Sequence, residues 1–150
     1  MSEDRASASD SGLLARLGLG RPELRAWAMY DWANSAMVTT IMTAVFPIYY
    51  VQVAGAGLPG TAATGRFAAV TTIGLAFIAV LAPLLGALAD TMAIKKRLLG
   101  TFMGVGIAAV ACMFFISRGE LLLASVLFIL ANIGVNGSFV FYESLLPHVA

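Results

Sequence analysis

The sequence is poor in the residues that most chemistry requires. It holds one histidine and one cysteine, and only 11% of its 150 residues are charged. A single cysteine, Cys112, excludes an intramolecular disulfide and reads as a small packing residue inside an apolar stretch. The single histidine, His148, joins no Cys, His or carboxylate cluster at ligand spacing, so no metal is expected. No Gly-rich phosphate loop ending in Lys-Ser or Lys-Thr occurs, which leaves nucleotide-driven work without a basis. GVGIAA, residues 104–109, has glycines spaced like a dinucleotide turn, yet no strand precedes it. Asp31 and Asp90 fall at the edges of apolar stretches, not deep within them as a pair of catalytic aspartates would. Neither a catalytic residue, an enzymatic activity, a cofactor nor a nucleic-acid partner is expected.

What the chain has instead is apolar length. Residues 32–65, 67–89, 98–117 and 121–142 carry no charge at all, and the mean hydropathy is +0.90. About 20 apolar residues suffice to cross a hydrocarbon core about 30 Å thick. The expectation is an all-α membrane protein with four transmembrane helices, over residues 26–53, 66–89, 98–117 and 121–142. Its contacts are then with the lipid bilayer. The basic residues point to an orientation. Arg5, Arg16, Arg21 and Arg25 precede the first span, and Lys95, Lys96 and Arg97 fill the second loop, whereas the other loops hold only Arg66 and Arg118. Cytoplasmic loops carry the Lys/Arg excess, so both chain ends are expected on the cytoplasmic side. Residues 1–21 are acidic and Ser-rich at their start. They read as a disordered tail, not as a signal peptide.

Local chemistry refines the spans. Pro22 suits a first helical turn. Trp27, Tyr30 and Trp32 at one end of span one, and Tyr49 and Tyr50 at the other, read as interfacial aromatic belts. Pro47 predicts a kink or early unwinding, and AGAGLPGTAATG after it reads as a flexible connector. Ala79, Ala82 and Gly86 form a small-residue line on span two. Gly100, Gly104, Ala108 and Cys112 recur every four residues on span three, where small residues let helix backbones approach. Asp31, Asn34 and Ser35 share one face of span one, and Asn132, Asn136 and Glu143 share one face of span four. Polar groups within membrane helices point into the bundle or a wet cavity. These six are therefore candidates for a common pathway, with plain interhelical hydrogen bonding as the alternative.

Two stretches carry a resemblance. GALADTMAIKKRL, residues 86–98, resembles the signature loop of the major facilitator superfamily. Gly86, Leu88, Ala89, Asp90, Lys95 and Leu98 match, whereas Thr91, Ala93 and Ile94 depart, and Lys96 and Arg97 keep the local charge. YDWANSA at residues 30–36 and FYESLLPHVA at residues 141–150 resemble the family of the fungal vacuolar amino-acid effluxer linked to autophagy and its bacterial relatives. The resemblance implies a secondary transporter of small polar solutes working by alternating access, in a bacterial cytoplasmic membrane. It implies a gating role for the loop of Asp90, Lys95, Lys96 and Arg97. It also implies a twelve-helix fold, of which this chain would be an N-terminal fragment requiring the missing C-terminal helices as partners. A small four-span oligomeric exporter, or a structural subunit, is the alternative.

Overall fold

The computed structural model describes residues 20–91 and 94–149, with side chains given for residues 20–88 and 94–145. The expected tail falls almost wholly outside the described residues. Four long helices follow one another: α1 (Pro22–Ala54), α2 (Gly60–Thr91), α3 (Lys95–Cys112) and α4 (Leu121–Val149). No strand occurs among the described residues. Each helix contains a window apolar enough to cross a membrane, and large side chains such as Val80, Leu84, Phe114 and Leu122 face outward. Exposed apolar residues are the surface expected of a protein solvated by lipid chains.

Helix α1 starts where the sequence points, with Pro22 in its first turn. Its middle departs from expectation. Instead of unwinding at Pro47, the helix stays continuous and widens into π geometry over Val38–Val45 and again over Tyr50–Ala54. Proline lacks an N–H and its ring crowds the carbonyl four residues back. Shifting bonds to the fifth residue back relieves that crowding, as in the Phe46 N–H bond to the Ile41 carbonyl. The Thr43 hydroxyl adds a bond of the same span, donating to the Val38 carbonyl at 3.0 Å.

The connectors are short. Helix α2 already begins at Gly60, so the expected flexible connector is about half helical. What remains is a turn in which Leu58 N–H donates to the Gly55 carbonyl, with Gly57 at φ 97°. That left-handed conformation favours glycine. Between α3 and α4 a 3₁₀ turn, Met113–Phe115, leads to Gly119 at φ 87°. The Glu120 carboxylate there accepts the Ser117 N–H, and Gly119 N–H donates to the Val53 carbonyl of α1.

Helices α3 and α4 make the tightest contact, through glycine. A Cβ on Gly134 would fall on the Gly106 backbone and lie 2.8 Å from the Phe102 carbonyl oxygen. Gly137 carries the Phe102 ring in the same manner. Because lipid tails are as apolar as leucine, such backbone approach and van der Waals contact hold membrane helices together. The expected four-residue line on α3 takes no part in it. Gly100, Gly104, Ala108 and Cys112 are all exposed, and nothing lies within 4 Å of a Cβ on either glycine. The buried face of α3 is instead Gly106, Ala109 and, just beyond, Met113.

Candidate functional site

The polar and aromatic side chains of α1 meet α4 at two levels. At the N-terminal level Trp27 and Tyr30 both stack on Tyr142, with ring centroids 5.2 and 4.7 Å apart. Tyr30 donates to Ser138 Oγ at 2.7 Å, and Tyr142 donates to the Trp27 carbonyl at 3.3 Å. At the far level Tyr50 and Ser125 pair at 2.8 Å, and Tyr49 donates to the Ile116 carbonyl at 2.7 Å. Phe46, Tyr50, Phe67 and Phe128 form an aromatic cluster joining α1, α2 and α4. Four of the five aromatics expected at the interfaces thus also clamp α1 to its neighbours. Of those five aromatics only Trp32 is strongly exposed, and Tyr50 is 1% exposed.

Tyr30→Phe should be mild. Ser138 Oγ keeps its own bond to the Val135 carbonyl and the Tyr142 stack survives. A loss of about 0.6 kcal/mol, typical of a bond between membrane helices, is expected in a denaturing-detergent titration.

The six pathway candidates are not gathered into one place. Asn34 lies half-buried in a groove of about 120 Å³ lined by Tyr30, Ala33 and Met37 of α1 and by Met103 and Ile107 of α3. Its Nδ2 is buried and has no hydrogen-bond partner. Asp31 and Ser35 are exposed, with Asp31 close enough to Tyr142 for an electrostatic interaction. On α4 the two asparagines face another helix. Asn136 lines a small crevice against Ile78, Leu81 and Leu85 of α2, and Asn132 lies beside Gly74. Both donate to their own helix, Asn132 to the Phe128 carbonyl and Asn136 to the Asn132 carbonyl, each at 2.9 Å. Glu143 is exposed. Asn34 and Asn136 therefore line different clefts, one against α3 and one against α2.

A model of the family described as "Vacuole effluxer Atg22 like" matches residues 56–150. An uncharacterized MFS-type transporter, YxiO of Bacillus subtilis (strain 168), is 36% identical over 124 residues. The alignment covers 82% of this chain. The chain belongs to the Atg22-like family of the major facilitator superfamily. It spans 29% of the length of that relative. No solved structure matches the chain at a significant level.

The Atg22-like match begins at Ala56, beyond α1, whereas the alignment to YxiO is long enough to reach well into α1. In this Atg22-like chain the signature-loop residues divide between two helix ends. Gly86 and Leu88 lie near the end of α2, and Asp90 falls on its helical backbone, with its side chain outside the described set. Lys95, Lys96 and Arg97 form the first turn of α3. Lys95 is half-buried, while Lys96 and Arg97 are exposed.

Proposed function

We propose that these four helices belong to a secondary active transporter that exports small polar solutes, amino acids among them, by alternating access. The observation that carries this reading is the 36% identity to an MFS-type transporter over most of the chain. The Atg22-like match, described as a vacuole effluxer, supports the direction, and the solute class rests on the resemblance of the first and last motifs to the amino-acid effluxer family. On this reading the open polar groups of α1 and α4 face further helices of the transporter, not lipid, since polar groups at membrane depth need protein or water around them. The membrane is the bacterial cytoplasmic membrane, with the start of α1 and the α2–α3 turn inside. In a Cys112→Ser background, Thr61→Cys should react with an impermeant thiol reagent from outside, and Ile94→Cys should not. The reverse pattern would invert the orientation.

Within this reading Asp31 acts as a latch toward Lys95, Lys96 and Arg97. Two membrane crossings, α1 and α2, separate the start of α1 from the start of α3, so both helices start at the same end of the bundle. A water-exposed carboxylate there can attract that basic turn and hold the inner side shut. The test is flux in proteoliposomes containing the transporter with its full set of helices. Asp31→Asn should lower amino-acid export by about fivefold or more through a shifted conformational balance, leaving substrate affinity near the unmodified level. Unchanged conformational accessibility with abolished binding would assign Asp31 to the solute itself.

A further inference from the structure

An open cleft lies apart from the six pathway candidates, between α2 and α4. It has a volume of about 280 Å³. Its floor is the hydroxyl pair of Tyr50 and Ser125, and this floor is already satisfied. Ser125 donates to the Leu121 carbonyl at 2.6 Å, and Tyr50 pairs with Ser125. Its walls are apolar, with Ala69 and Val70 from α2 facing Leu121 and Leu122 from α4. Its one charged lining residue is Arg66.

Arg66 is exposed and lies six residues into α2, roughly 9 Å along the helix from Gly60. No carboxylate lines the cleft. Glu120, next in sequence to Leu121, accepts the Ser117 N–H in the α3–α4 turn. A guanidinium near the end of a membrane helix keeps its stem along apolar surface and extends its head toward the headgroup layer. Its planar fork of donors fits phosphate oxygens in pairs. One uncompensated cation at the mouth, with apolar walls leading away from it, is complementary to one anionic head joined to a hydrocarbon tail. A free anion would leave the walls unused, and a zwitterionic headgroup would bring its own cation against Arg66.

We propose that the α2–α4 cleft binds an anionic phospholipid, Arg66 taking the headgroup phosphate and Ala69, Val70, Leu121 and Leu122 holding the first stretch of acyl chain. The site is independent of the solute and of the latch. It makes α2–α4 association sensitive to membrane charge, because the lipid bridges the two helices.

The test uses the full chain in phosphatidylcholine nanodiscs with and without phosphatidylglycerol, read by thermal unfolding and by native mass spectrometry. Phosphatidylglycerol should raise the unfolding temperature and remain bound after release from the disc. Arg66→Gln should reduce retention by about tenfold, the scale of a charge-assisted hydrogen bond, and Arg66→Lys should preserve part of it. Ala69→Phe, at an exposed wall position, should displace the chain while keeping the charge, and so also lower retention. Soluble glycerol phosphate added to phosphatidylcholine discs should protect nothing. Equal retention by Arg66→Gln, or by Ala69→Phe, would overturn the assignment. So would full protection by glycerol phosphate, which would make the cleft a site for a soluble anion.

Discussion

Replacing Gly134 with leucine should keep α3 and α4 from closing and cost more than about 3 kcal/mol, the upper end for overpacked cores. Overpacking is usually softened by rotamer changes and small side-chain shifts. Here the obstruction is main chain, because even a Cβ at position 134 meets the Gly106 backbone and the Phe102 carbonyl. Relief requires the two helices to separate, which surrenders contacts along the whole crossing. Unfolding in mixed detergent micelles, followed by denaturing-detergent titration, should show the loss. Gly104→Ala supplies the contrast. Nothing lies within 4 Å of its Cβ, and alanine is the better helix former by about 1 kcal/mol. Its titration midpoint should stay level or rise. A Gly134→Leu protein that unfolds like the parent would show that α3 and α4 do not cross at these glycines.

Phe46→Ala should give the second large loss, about 3 kcal/mol. Phe46 is 3% exposed and stacks on Phe128 at 4.9 Å with a 5° interplanar angle. It also meets Phe67 at 6.4 Å and Tyr50 at 6.1 Å. In a bilayer the lost term is dispersion and ring–ring geometry more than hydrophobic transfer. The cavity would open where α1, α2 and α4 meet, so all three helices should loosen together. Phe46→Leu should cost less, and Val45→Ala, at a 51% exposed position one residue earlier, should be nearly silent. If Phe46→Ala and Val45→Ala melt alike, this ring does not join the three helices.

The four spans were legible because uncharged length is a one-dimensional signal, and membrane thickness sets its threshold. The faces were less legible. A four-residue line of small residues marks where a neighbour can approach, but the neighbour's own surface decides whether it does. Gly134 and Gly137 on α4 select the Gly106 face of α3 and leave Gly100 and Gly104 open. Their spacing was present in the sequence but lay on the same stretch as the more conspicuous asparagines. Those asparagines were ambiguous in another way. Spacing put Asn132, Asn136 and Glu143 on one face, and nothing in spacing tells which helix that face meets. Tyr30 and Tyr50 were equally ambiguous, since a tyrosine at a helix end serves a membrane interface or a partner helix with the same chemistry. For the candidate site, the Asp31–Asn34–Ser35 face was readable, while the half-burial of Asn34 against Met103 depended on a tertiary neighbour.

The widened stretch at Val38–Val45 makes α1 a screw whose two threads are out of phase. Below it, Tyr30 is fixed to Ser138, and above it, Phe46 and Tyr50 are fixed to the aromatic cluster. Regular α geometry across the same residues would advance the upper thread by about one residue, or about 100°. Phe46 and Tyr50 would then swing off Phe128 and Phe67. Rewinding the middle of α1 and releasing its far end are therefore one torsional event, and neither end of the helix can turn while both clamps hold.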